Sequence, residues 1–225
     1  MAPFLSQAQI RQYIEQGYLL VSGLMSDDVA ARAEAAMWRN LGMDSGDPNT
    51  WASPGEYAPD DDPAMLALYT SEFLTVAAQL GEGVPEMSSY RAPRRLRPLN
   101  TYPQDGGWAP HGPHLDHAIK EHGHKTFPFA FRVATMTYLN DVASHGGATV
   151  VWPGSHHRME ALAYADPSRY ETMWELNRDI GKADIGDPVE VIAARGDALF
   201  YHVFTAHCGS RNVGKKPRFA FNVKW

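Results

Sequence analysis

His114-Leu115-Asp116 sets an imidazole and a carboxylate two residues apart. In an extended strand alternate side chains share a face at roughly 6.5–7 Å spacing, so both groups can turn toward one ion. They make two-thirds of a 2-His-1-carboxylate facial triad, the donor set that leaves open coordination positions and suits non-haem Fe(II) oxygen chemistry. A second histidine has to come from elsewhere, and the chain has ten. Among them only His114 has an acidic residue two positions on. His111 precedes Gly112-Pro113 and reads as a turn residue. His117 falls on the opposite face from Asp116 in any regular strand. His122 and His124 lie in a polar Lys-Glu-His-Gly-His-Lys run that reads as solvated loop. His202 stands an odd number of residues before His207, on the opposite face of a shared strand, and reads as a core or supporting residue.

A second stretch, His207-Cys208-Gly209-Ser210-Arg211-Asn212 and then Lys215-Lys216-Pro217-Arg218, leads into the last apolar segment. Here the chain resembles the phytanoyl-CoA dioxygenase-like family of Fe(II)- and 2-oxoglutarate-dependent oxygenases. In that family the distal histidine is followed five residues later by an asparagine and eleven residues later by an arginine that binds the far carboxylate of 2-oxoglutarate. Asn212 and Arg218 stand at those offsets. Gly146-Gly147-Ala148-Thr149-Val150-Val151-Trp152-Pro153-Gly154-Ser155-His156 is similar to the family's glycine-rich strand ending in Pro-Gly-Ser-His. The start, from Leu5-Ser6-Gln7 to Gly17-Tyr18-Leu19-Leu20-Val21, is similar to its opening helix and strand. Residues 42–90 and 158–187 carry no such likeness.

The resemblance implies His114, Asp116 and His207 as metal ligands, with Arg218 anchoring the 5-carboxylate of 2-oxoglutarate. It implies Fe(II), 2-oxoglutarate and O2 as the reaction's requirements, succinate and CO2 as products, and a small-molecule substrate oxidised at a C–H bond. In halogenating relatives the carboxylate position is a small residue, so Asp116 implies hydroxylation or a related C–H oxidation. His156 and His157, after the Pro-Gly-Ser turn, correspond to a structural position. The chain departs from the family at Gly209, where a serine is usual; Ser210 comes one residue later. A guanidinium suits the anchoring role because it grips a carboxylate bidentately, which an ammonium cannot. Arg91, Arg94, Arg95 and Arg97 form a basic cluster that reads first as a solvated edge strand and second as an anion contact.

Composition sets the outer bounds. A chain of 225 residues supports one buried core, so one domain over 1–225 is expected. An apolar fraction of 44% with 20% charged residues excludes the disordered and fibrous classes. The net charge of −6 disfavours nucleic-acid and anionic-membrane partners. Cys208 is the single cysteine, so no internal disulfide can form. The first residues lack the features of a signal peptide, and no apolar run has the length of a membrane span. The expected location is the cytoplasm.

The elements that must position these residues fall into two regimes. Ser6 with Gln9 predicts a capped helix carrying Ile10, Tyr13 and Ile14 and ending at Gly17. Tyr18–Val21 predicts a strand, and Ser26 with Asp27 and Asp28 opens a second helix ending near Gly42. Residues 44–63 predict a loop, and 64–80 a third helix with Phe73, Val76, Ala77 and Leu80 on one face. From about residue 88 short β-branched and aromatic segments predict strands over 92–102, 114–118, 129–141, 147–152, 188–193, 198–206 and 218–225. The expected fold is mainly β with flanking helices, a double-stranded β-helix or jelly-roll (cupin-like) barrel. In the last strand Phe219, Phe221, Val223 and Trp225 alternate with Arg218, Ala220, Asn222 and Lys224, which puts Arg218 opposite the apolar face. An excursion after Pro153-Gly154-Ser155-His156 predicts a helix within Ser168–Asn177, as a lid or packed cover. Tyr102, Trp108, Met136 and Tyr138 are candidates to line the pocket. Two other functions stay open on the residues alone: a cupin-like metal enzyme that does not use 2-oxoglutarate, and a non-catalytic ligand-binding module of the same fold.

Overall fold

The computed structural model describes residues 5–51, 60–82 and 90–225. Helix α1 (Gln7–Gln16) starts with the reciprocal Ser6–Gln9 capping box and stops at Gly17, whose φ of 77° takes the left-handed conformation. Strand β1 (Tyr18–Val21) follows. Helix α2 (Asp27–Leu41) has Ser26 as its cap and Asp27 and Asp28 in its first turn. The helix expected over 64–80 is broken in two, α3 (Pro63–Leu66) and α4 (Ser71–Glu82). Thr70 Oγ1 accepts the Phe73 amide at 3.2 Å, a hydroxyl taking over a backbone partner and starting a new helix. Residues 52–59 of the expected loop lie outside the described residues.

Two antiparallel sheets follow. The larger has the order β1-β5-β2-β7, with β2 Val133–Tyr138, β5 Ala198–His202 and β7 Ala220–Lys224. The smaller has the order β4-β3-β6, with β3 Val150–Val151, β4 Val189–Glu190 and β6 His207–Cys208. Strand alternation divides the larger sheet's residues between two cores. Val133, Leu139, Ala198, Phe200, Phe219 and Phe221 pack toward the helices with Phe73, Val76 and Met37. Ala134, Met136, Tyr138, Leu199, Tyr201 and Ala220 pack toward the smaller sheet with Val150, Val151 and Cys208. The expected split of the last strand is what β7 shows. The architecture is the expected jelly roll, corrected in one respect: the sheets stack as two layers and do not close into a barrel among the described residues.

Two expected strands are reduced to isolated bridges instead. Residues 92–102 touch the sheet at Pro98↔Phe221 and Thr101↔Arg218, because Pro93 and Pro98 have no amide to give to a ladder. Residues 114–118 pair only at His114↔His207, and the chain turns at Asp116 and at His117, whose φ is 60°. His202 and His207 do not share a strand. A turn closed by Thr205 N–H to the His202 carbonyl (2.9 Å) sends them to different sheets, so the parity argument does not apply. The Pro153-Gly154 turn leads directly into α5 (Ser155–Ala165), absent from the sequence-based expectation. The expected cover helix is shorter, α6 (Met173–Arg178), with a Thr172–Glu175 capping box and buried Met173 and Leu176.

His202 sits beside His156, ring centroids 5.4 Å apart, away from the triad. His156 Nε2 donates to the Ile14 carbonyl (2.9 Å) and its Nδ1 is buried without a partner. Burial lowers both histidines to about 4. A histidine whose folded value lies below its unfolded value of about 6.5 takes up protons on unfolding, so its contribution is present above that value and is lost as pH falls toward 4. In His202→Asn, which keeps an acceptor for the Phe204 amide (3.3 Å), the loss of urea stability between pH 7.5 and 5 should be smaller than in the wild type; an identical loss would contradict this.

Gly147 tests how tightly the smaller sheet meets the site wall. Its φ is 78°, and a Cβ there would strike the Thr101 hydroxyl and come within 2.9 Å of Asn212 Cβ. Gly147→Ala should cost about 1–3 kcal/mol in backbone strain alone and lower Tm by several degrees. An unchanged melting curve would contradict the packing described.

Candidate metal and cosubstrate site

The antiparallel bridge between His114 and His207 joins the two sequence stretches. Each backbone donates to the other, His114 N–H to the His207 carbonyl at 2.9 Å and the reverse at 3.1 Å. The imidazole centroids stand 4.5 Å apart. Asp116, at the turn two residues on, brings its Oδ2 to 3.8 Å from His207 Nε2. One ligand atom from each of His114, Asp116 and His207 lies within 4.8 Å of the others, a separation one ion can bridge. Among the described residues no other group of three such side chains does this.

Supporting hydrogen bonds orient these groups. His207 Nδ1 lies 3.0 Å from the Thr205 carbonyl, so Nδ1 carries the proton and Nε2 keeps its lone pair for the cavity. Leu115, between the other two, donates its amide to Asn177 Oδ1 on α6 at 2.7 Å, which makes α6 a cover that also fixes the turn. His114 stands at the exposed mouth with its ring against His207. Desolvation of that ring, reinforced by His207, lowers it to about 4, so it is neutral near pH 7, the form that can ligate. Burial alone would raise Asp116, but His207, Lys224 and the Tyr201 hydroxyl outweigh it and hold the carboxyl below its ordinary range. Tyr201 donates to Asp116 Oδ2 (3.0 Å) and accepts from Asn222 Nδ2 (2.7 Å).

The triad opens into a cavity of about 110 Å3. Leu99, Met136, Thr149, Gly209 and Arg218 complete much of its wall. Arg218 is 4% exposed, and Thr101 Oγ1 accepts from its Nε at 3.4 Å. Its Nη1 is buried with no partner. Desolvation lowers this guanidinium's pKa, offset by Tyr138 nearby, and a guanidinium stays protonated in proteins. A buried cation with an unmet donor is a place built for an anion.

Of the other sequence candidates, Met136 lines the cavity and Tyr138 stands behind it, donating to Thr149 Oγ1 at 3.0 Å. Tyr102 belongs to the helix-side core, and Trp108 stacks on His145. Asn212 is a structural tie: its amide donates to the Lys216 carbonyl (2.8 Å) and its oxygen accepts from Gly214 N–H (2.9 Å), shaping the turn that delivers Arg218. Ser210 donates to the Ala148 carbonyl (2.8 Å), so the hydroxyl beside Arg218 comes from Thr101 instead. Sequence reasoning also missed Tyr201, Asn222 and Lys224. For the last two the signal was present, since strand alternation sets them on the Arg218 face of β7.

A search of curated protein sequences returned no match. Among solved structures the fold is similar to the epimerase SnoN in complex with Fe3+, alpha ketoglutarate and nogalamycin RO, at 17% identity and TM-score 0.62 over 96% of this chain and 81% of that one. It is similar to EctD from S. alaskensis with 2-oxoglutarate and 5-hydroxyectoine, at 15% identity and TM-score 0.65 over 98% and 76%. It is also similar to EvdO2 from Micromonospora carbonacea var. aurantiaca complexed with 2-oxoglutarate, at 16% identity and TM-score 0.59 over 97% and 89%. These likenesses establish the fold. The sequence matches the phytanoyl-CoA dioxygenase (PhyH) family over residues 13–220, nearly its whole length, and the chain therefore belongs to that family of Fe(II)- and 2-oxoglutarate-dependent oxygenases.

Proposed function

We propose that the chain acts as a single oxygenase domain over residues 1–225 that binds Fe(II) at His114, Asp116 and His207, anchors 2-oxoglutarate on Arg218, and hydroxylates or otherwise oxidises a C–H bond of a small molecule. The observation that carries this reading is the buried, unpartnered Nη1 of Arg218 in the wall of the cavity that the triad shares. A cupin-like metal enzyme with no 2-oxoglutarate would have no use for a desolvated guanidinium there. No described helix is long and apolar enough to cross a membrane. A cytoplasmic address fits the single, unbridged Cys208.

The donor set fits the metal: two imidazoles and one carboxylate leave the remaining positions open. When bound, Fe(II) and 2-oxoglutarate activate O2 with release of succinate and CO2 and supply the oxidant for the substrate. The protein's own residues do the arranging. Tyr201 and Lys224 fix the Asp116 carboxylate from two sides, so it is presented to the ion without reorganisation. Arg218 offers paired N–H donors to the cosubstrate's far carboxylate, with Thr101 holding the guanidinium in line. Leu99 and Met136 give the cavity an apolar wall that limits water near the reacting bond. The presence of Asp116, in place of a small residue, leaves no halide position and favours hydroxylation.

Anaerobic addition of Fe(II) and 2-oxoglutarate should produce a weak visible charge-transfer band, and the aerobic protein should form succinate. Arg218→Ala should raise the KM for 2-oxoglutarate at least ~10-fold, the loss expected for a charged hydrogen bond worth about 1.5–3 kcal/mol. Asp116→Ala should abolish turnover coupled to substrate, and His122→Ala should leave it nearly intact. Equal damage from the last two would mean that the ligands are misassigned. No band in a folded, metal-loaded sample would overturn the oxygenase reading.

A further inference from the structure

One cation at the site is neither a metal ligand nor the cosubstrate's anchor. Lys224 reaches from β7 to place Nζ 3.2 Å from Asp116 Oδ1 and donates to Asn222 Oδ1 at 2.6 Å. Its ammonium also lies 5.9 Å from the centre of the Phe131 ring. An ammonium has three hydrogens, and these contacts take two. A quarter of the side chain (25%) is exposed, and its two partners, Asp116 and Asn222, both line the cavity. Among the described residues Asp116 is the only carboxylate that lines the cavity.

On the oxygenase reading of this site, the charges of the loaded site do not sum to zero. In the protein alone Lys224 balances Asp116. With the site loaded, the divalent metal and the 2-oxoglutarate dianion cancel, and Asp116 cancels Arg218. The two histidines are neutral as ligands. Lys224 is left as one surplus positive charge, partly enclosed and with a hydrogen to give. A net positive charge in a partly enclosed site is costly, and an anionic group on the incoming molecule removes that cost. Arg97 adds to the attraction from outside: the Pro98↔Phe221 bridge sets it opposite Asn222, on the side from which Leu99 lines the cavity. It is exposed and solvated, so it steers and does not enter the count.

We propose that the substrate carries a carboxylate and docks it on Lys224. A carboxylate matches the single surplus charge, whereas a phosphate monoester dianion would exceed it. Lys224 is then a specificity-determining residue, distinct from the cosubstrate's anchor.

The test loads wild type, Lys224→Met and Lys224→Arg anaerobically with Co(II) and 2-oxoglutarate. Thermal shift is then titrated with carboxylates each paired with its own amide: benzoate and benzamide, phenylacetate and phenylacetamide, hexanoate and hexanamide, with hexyl phosphate alongside. At least one acid should raise Tm saturably and bind at least tenfold tighter than its amide. That preference should vanish in Lys224→Met and persist in Lys224→Arg. Unliganded melting curves report whether each variant is folded. The inference is overturned if no acid outbinds its amide, if the preference survives Lys224→Met, or if hexyl phosphate outbinds every carboxylate. Failure of the underlying reading is separate, because the wild type would then show no charge-transfer band with Fe(II) and 2-oxoglutarate.

Discussion

The site depends on one backbone contact, the reciprocal hydrogen bonds between His114 and His207. Among the described residues, the three side chains that could hold one metal are brought together by that bridge. It ties a turn that precedes β2 to a two-residue strand near the end of the chain, and so sets two imidazoles side by side at 4.5 Å. The bridge is short, and the structure supports it from both directions. Asn177 on α6 fixes Leu115, while Ser155 Oγ accepts the Ala206 amide at 2.9 Å on the other side. The helices inserted after the glycine-rich strand are therefore parts of the site's frame as well as surface cover.

A second constraint is electrostatic. An acidic chain places two cations, Arg218 and Lys224, near one half-buried carboxylate. Arg218 has a buried, unmet donor, a cost that an anionic ligand relieves. Lys224 is held by Asp116 Oδ1 and Asn222 Oδ1 and keeps one hydrogen to give. Arg218 lines the cavity wall and Lys224 pairs with Asp116, so the two cations act at different places in the site.

The sequence carried more of this site than of the fold. His114, Asp116, His207 and Arg218 were legible because spacing survives however the chain between them bends. Alternation along β7 was legible because residues 218–225 keep strict period two. The secondary-structure details were less so. Prolines at 93 and 98 remove amides that a strand over 92–102 would need, and a single hydroxyl at Thr70 splits a helix that periodicity draws as continuous. The turn at 203–204 changes sheets between His202 and His207, which no parity rule can see. Tyr201 escaped notice because an interior tyrosine looks like core until its hydroxyl is found 3.0 Å from Asp116.

The most direct measurement of the central claim is an anomalous difference map at the iron edge from crystals grown anaerobically with Fe(II). A single peak bonded to His114, Asp116 and His207 is the predicted result. A peak among His117, His122 and His124 instead, or iron that contacts only one of the three proposed ligands, would contradict it.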